Sequence, residues 1–252
     1  MQTRESIREA VRLVAEDAKK EGILYAELRF APQLHCTKGL TQRDVIRYAL
    51  EGIKASSLHC NLILCCMRGK EQENLETVGL AGEFLVEDGG VVAIDLAGAE
   101  AQYPTSDYQS LFAKAKSIGI PFTIHAGEAE GAESVRLAIE YGAKRIGHGV
   151  RIREDESVMA YAKEKGIFFE LCPSSNLLTG AVPDLTTYPL KDYLSYGLKV
   201  TLNTDDPAII GTSMEQEFAC LHLSLEQKTA LLKNAIDAAF TTKKDILIDA
   251  IL

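Results

Sequence analysis

Thr123-Ile124-His125-Ala126-Gly127-Glu128 is a short apolar run that ends in an imidazole, a glycine and a carboxylate. Ile120, Phe122 and Ile124 alternate as in a buried strand, and Gly131-Ala132-Glu133-Ser134-Val135 then opens a helical pattern. The polar trio therefore falls where a strand hands over to a helix, the place where α/β proteins concentrate their chemistry. Two further runs repeat the plan. Arg145-Ile146-Gly147-His148-Gly149 is one, and Val200-Thr201-Leu202-Asn203-Thr204-Asp205-Asp206-Pro207 is the other, closing on paired acids before a proline suited to a helix start. His125 and Glu128, His148, and Asp205 and Asp206 are thus expected at the ends of three strands.

Outward from this stretch, strand and helix patterns alternate along the chain. Strands are expected over residues 24–32, 61–67, 91–98, in the runs holding His125 and His148, over 167–176 with a polar, proline-containing exit, and up to Asp205-Asp206. Helical spacing of apolar residues covers 3–20, 42–58, 71–86, 107–118, 131–141, 154–165 and 190–196. Residues 214–252 are also helical, with Ser224 and Gln227 spaced as a capping box. Strict alternation predicts a parallel sheet with right-handed crossovers. Seven strands make an α/β fold one short of a closed (β/α)8 TIM-type barrel, and no repeat or linker divides residues 1–252 into more than one domain.

With 252 residues and 46% hydrophobic side chains, the chain can bury a substantial core. A formal charge of -9 argues against a nucleic acid or an anionic membrane as partner and for a small-molecule substrate. The six cysteines include no C-x-x-C pair, and Cys65-Cys66 lies inside an apolar run, so they read as reduced packing residues. No stretch is long and apolar enough to span a membrane, and the N-terminus lacks a signal-peptide pattern. The expected location is cytoplasmic. Nothing in the sequence fixes an oligomeric state.

Singly, each polar residue has an ordinary explanation: a histidine at a strand end is commonly a hydrogen-bonded structural group, and Asp before Pro is a common turn. In a parallel barrel, however, the C-terminal strand ends share one mouth. Asp95 and Gly98, His125 and Glu128, His148, Ser174 and Ser175, and Asp205 and Asp206 would then line one cavity. Imidazole plus carboxylate suits a catalytic zinc, which makes hydroxide available near neutral pH, while a further His and Glu shuttle protons.

Taken with Asp95-Leu96-Ala97-Gly98-Ala99-Glu100 and Cys172-Pro173-Ser174-Ser175-Asn176, these runs closely resemble, in order, the motifs of bacterial adenosine deaminases. The resemblance covers almost the whole chain. It implies a zinc-dependent (β/α)8 barrel, one zinc per site, converting adenosine to inosine and ammonia. It further implies that His125 and Asp205 are metal ligands, with Asp205 also orienting the attacking hydroxide. Glu128 would protonate purine N1, His148 would position the water and take its proton, Asp206 would meet N7, and the Gly98 N–H would meet N3.

The family's first strand carries a His-x-His pair that supplies two more ligands, and no such pair occurs in these 252 residues. The expectation is an N-terminally truncated chain that lacks that strand. His35 and Cys36 offer a surrogate ligand or, as preferred, packing at the rim; His59 and His222 read as structural. Glu27 and Arg29 alternate on one strand and read as a buried ion pair or a link to a neighbouring strand. Two other readings stay open: an adenine deaminase acting on the free base, and an inert purine-binding truncation product. The cytidine-type zinc deaminases are excluded, because neither H-x-E nor P-C-x-x-C occurs.

Overall fold

Thr3 and Thr41 begin two helices by the same device. Each side-chain oxygen accepts the backbone N–H three residues on, and Ser6 and Asp44 return the bond to the cap's own N–H. In the computed structural model, which describes residues 1–251, the elements run α1 (Arg4–Lys20), β1 (Tyr25–Phe30), α2 (Gln42–Ala55), β2 (His59–Met67), α3 (Glu71–Phe84), β3 (Val91–Ala97) and α4 (Gln109–Ser117). There follow β4 (Thr123–Ala126), α5 (Ala132–Tyr141), β5 (Arg145–His148), α6 (Glu156–Lys165), β6 (Phe168–Leu171), α7 (Pro173–Leu178), α8 (Leu190–Tyr196) and β7 (Lys199–Leu202). The chain closes with α9 (Pro207–Ile210), α10 (Met214–Cys220), α11 (Leu225–Ala238) and α12 (Lys244–Ile251). Among the described residues the seven strands and their alternation with helices are as expected from the sequence. No helix among the described residues is long and apolar enough to cross a membrane.

The chain forms two compact units. In the first, comprising residues 1–98, 110–122 and 239–251, β1, β2 and β3 make a parallel sheet in that order. Leu62, Ile63, Leu64, Ala93 and Ile94, at its centre, have no exposed surface. β-branched and leucine side chains on both faces are what a parallel strand covered by helices requires. α1 packs on α2 where Gly52 lies against the backbone of Arg8. A Cβ at Gly52 would stand 2.7 Å from Arg8 O and 2.7 Å from Val11 Cβ, so only glycine permits this approach. Arg29 reaches the fully buried Asp95 across β2, Nη1 to Oδ2 3.1 Å. Asp95 is therefore an interior partner within β3 rather than a group at the strand's end.

At the other end of this sheet a polar latch holds the C-terminal segment. Phe240 packs on Ile63, Val92 and Ala93, and its backbone N–H donates to Glu27 Oε1 at 2.5 Å. Asp88 accepts from Asn61 Nδ2 (3.1 Å), Thr241 Oγ1 (3.0 Å) and Lys243 Nζ (2.8 Å), and pairs with His59 Nε2 at 2.8 Å. His59 is structural, as the sequence suggested. Burial pushes the Asp88 carboxyl up, but the bonds from Lys243, Asn61, Thr241 and His59 outweigh it and hold the value at about 2. A carboxylate whose pKa is depressed on folding stabilises the protein above the unfolded value of about 3.9 and loses that stabilisation as pH falls through the folded one. The difference corresponds to about 2.6 kcal/mol at neutral pH. Asp88→Asn is accordingly expected to lower the melting temperature at pH 7 and to flatten its fall between about pH 4 and 2. A variant that melts with the parent's full acid dependence would refute this account.

In the second unit, residues 99–109 and 123–238, strands β4 to β7 form a parallel sheet in sequence order. Its register pairs His125 with Gly147 and Ala126 with His148. Inside it, Arg145 and Glu170, 4% and 5% exposed, form an ion pair at 2.7 Å, and Thr123 Oγ1 donates to Glu170 at 3.1 Å. The segment after β6 departs from expectation. Pro173-Ser174-Ser175-Asn176, read from sequence as a strand exit, is the first turn of α7, with Pro173 at a position where a missing N–H costs nothing.

Candidate active site

Each candidate in the second unit stands at or just beyond the C-terminal end of a strand. His125 is in β4, Glu128 two residues beyond its end, His148 ends β5, and Asp205 and Asp206 lie between β7 and α9. His148 (φ 61°) and Asp205 (φ 59°) both adopt the left-handed backbone conformation that non-glycine residues rarely take. Strain of this kind persists only where the surroundings impose it, and it gathers at functional sites.

The side chains converge. The rings of His125 and His148 meet edge to face with centroids 5.0 Å apart. His148 Nε2 lies 3.4 Å from Glu128 Oε2 and 4.0 Å from Asp205 Oδ2. Partial desolvation and then the charge of Asp205 push the Asp206 carboxyl up, while His125 pulls it down, so His125 and the acid pair share one field. Four sequence-predicted groups, His125, Glu128, His148 and Asp205, with Asp206 beside them, thus form a single cluster. Gly98 belongs to the first unit, where it follows β3 with φ 104° beside Met67 and Arg68; its part in the site rests on the resemblance alone. His35, in the first unit, donates from Nδ1 to Met1 O (2.8 Å) and packs near Phe30.

The structure adds residues that sequence reasoning passed over. Asn176, fully buried on α7, accepts from Tyr188 OH through Oδ1 (2.9 Å), and burial keeps that phenol protonated by pushing its pKa well up. The amide's Nδ2 therefore faces the site, 3.0 Å from Glu128 Oε1 and 3.0 Å from His148 Nδ1. Nδ2 thus bridges the Glu128 carboxylate and the His148 ring, and His148 Nε2 faces Glu128 and Asp205. Thr179 Oγ1 also donates to Glu128 Oε1, at 3.1 Å. Ser175 Oγ donates to Asp205 Oδ2 at 2.6 Å, whereas the N–H of Ser174 donates to the buried Glu217, 3.1 Å away. Of the two serines expected at the mouth, only Ser175 serves the acid pair.

The donor chemistry fits a divalent metal. His125 and Asp205 bring an imidazole nitrogen and a carboxylate into the same cluster, and His148, Cys172 and Asp205 each offer a ligand atom within 4.8 Å of the other two. Nitrogen, oxygen and thiolate donors together suit zinc better than a hard cation such as magnesium. Cys172 was read as packing from sequence; its place in this cluster is a property of the fold.

Comparisons with known proteins agree with this picture. The family described as adenosine deaminase matches residues 1–251. A protein named adenosine deaminase from Haemophilus ducreyi is 44% identical over 97% of this chain and 75% of its own length. One of the same name from Enterococcus faecalis is 36% identical over 95% of this chain and 73% of its own. Among solved structures, an adenine deaminase from Arthrobacter aurescens superposes with a TM-score of 0.91 at 27% identity, covering all of this chain and 80% of that one. The chain has the α/β TIM-type fold, and it belongs to the adenosine deaminase family of hydrolytic deaminases.

Proposed function

We propose that this protein deaminates adenosine, and deoxyadenosine with it, to the inosine product and ammonia, using zinc held in part by His125 and Asp205. Residues 1–252 act as one hydrolase barrel domain in this reading, in the cytoplasm, on a small purine nucleoside. The observation that carries it is the convergence of Glu128 and Asp205 on Nε2 of His148. When bound, zinc supplies Lewis acidity that makes water a nucleophile near neutral pH. Glu128, its Oε1 fixed by Asn176 and Thr179, keeps Oε2 free of those two donors to give a proton to purine N1, so that C6 becomes the electrophile. His148 takes the proton released by the attacking water, and its imidazolium is then stabilised by Glu128 and Asp205 on either side. Asp206 holds the ring at N7. C6 becomes tetrahedral; His148 passes its proton to the amino group, the C6 hydroxyl returns one to Glu128, and ammonia leaves as the C6 carbonyl forms.

Loss of adenosine absorbance is the test, with the chain purified in zinc. Turnover that stops on adding a chelator is the expected result; a folded, zinc-equilibrated chain that leaves adenosine unchanged would overturn the proposal. The likeness to a structure named adenine deaminase favours a second reading, action on the free base. Faster turnover of adenine than adenosine in the same assay would select it.

A further inference from the structure

Glu100 is 5% exposed and has no part in the proton transfers just described, yet five donors meet its carboxylate. Oε1 accepts from Gly127 N (2.8 Å) and Ser134 Oγ (2.5 Å), and Oε2 accepts from Glu128 N (3.1 Å), Ala129 N (2.9 Å) and Glu130 N (3.0 Å). Four consecutive amides can point at one anion because the chain turns through a left-handed residue, Gly127 at φ 71°, which makes the backbone concave. Gly127 is confined as well: a Cβ there would lie 2.5 Å from Val135 Cγ2. Burial pushes the Glu100 carboxyl up, but bonds from Ser134, Glu130, Gly127 and Ala129 outweigh it and leave the value below the usual range. The anion and the loop conformation therefore require each other. Thr105 Oγ1, 2.7 Å from Ser134 Oγ, extends the network.

A buried staple of this kind can serve stability alone. Its placement here does more, because one of the four amides belongs to Glu128 itself. Glu128 is then held at both ends: its backbone by Glu100, and its Oε1 by Asn176 and Thr179. With both anchors set, Oε2 stands 3.4 Å from His148 Nε2. We propose that Glu100 is a positioning residue for the reaction, its carboxylate templating the loop from Gly127 to Glu130 so that the Glu128 acid is delivered beside His148. The reaction named is the deamination proposed above, on which this inference rests.

Glu100→Gln tests it in the full chain, since the new NH2 group confronts N–H or O–H donors on whichever side it takes. Two readouts are needed. Hydrogen exchange at the amides of residues 127–130 should quicken at least about tenfold, as expected of a loop that loses its acceptor. With adenosine, kcat should fall about 100-fold, the cost of misplacing a catalytic group by an ångström, with little change in KM. Ser134→Ala removes one donor but leaves the four amides bound, and should retain kcat within about threefold even where it lowers the melting temperature; if Glu100→Gln does not fold, Glu100→Asp takes its place. Unchanged exchange, an unchanged kcat, or an equal kcat loss in Ser134→Ala would overturn the inference. A parent chain that leaves adenosine untouched would instead sink the deaminase reading, and the exchange data would still decide whether Glu100 organises the loop.

Discussion

Asp205→Ala is expected to strip the metal from the protein and with it all measurable deamination. Asp205 lies 4.0 Å from His148 Nε2 and belongs to the His148, Cys172 and Asp205 group that could hold a metal; the family resemblance also pairs it with His125. Ser175 fixes its Oδ2 at 2.6 Å, so the carboxylate is oriented before any cation arrives. Losing a group that merely supports a metal ligand weakens binding by about 10 to 100-fold, and losing the ligand should exceed that. Zinc content after exhaustive dialysis is the measurement. One complication is built into the backbone, because alanine tolerates the left-handed conformation at φ 59° less well than aspartate does. Asp205→Asn separates the two effects: asparagine accepts that conformation, so metal loss there reports the missing charge rather than a displaced loop. An Asn variant that keeps a full complement of zinc would remove Asp205 from the ligand set.

The parts of this site that the sequence made legible are those where composition changes abruptly along the chain. His125, His148 and Asp205 follow short apolar runs, and an apolar run that ends in polar residues before a helical pattern marks the functional end of a parallel strand. Apolar runs elsewhere placed the other four of the seven strands among the described residues, although the strand holding His125 begins at Thr123, after Ile120 and Phe122 have already passed. What could not be read was set by contacts distant in sequence. Asp95 looks like one more strand-end acid until Arg29 is found reaching it from two strands away. Asn176 lay hidden in a segment taken for a strand exit; Cys172-Pro173 followed by Ser-Ser-Asn-Leu-Leu is equally a helix start with proline in its first turn, and that signal was available. Glu100 sat inside a quoted motif, but a carboxylate's service to four amides 27 to 30 residues later leaves no local trace. The left-handed backbone at His148 and Asp205 leaves none either.

Glu128→Gln should show the opposite pattern from Asp205→Ala, keeping its zinc and losing turnover. Glutamine matches glutamate in size, and its Oε1 can still accept from Asn176 Nδ2 and Thr179 Oγ1, so the side chain has every reason to stay where it is. The N–H of residue 128 that Glu100 receives is unaffected by the change. What is replaced is Oε2, the oxygen 3.4 Å from His148 Nε2, by an amide nitrogen that has hydrogens but cannot release one as an acid. Proton donation by a positioned side chain contributes about 100 to 10,000-fold to a rate, and the whole of that is lost if Glu128 is the group that protonates N1. The loss should appear in kcat, because an amide can still hydrogen-bond the purine in the ground state and leave KM nearly as it was. Turnover within about tenfold of the parent would mean that the N1 proton comes from elsewhere. His148, whose Nε2 faces the same space between the two acids, would then be the residue to test.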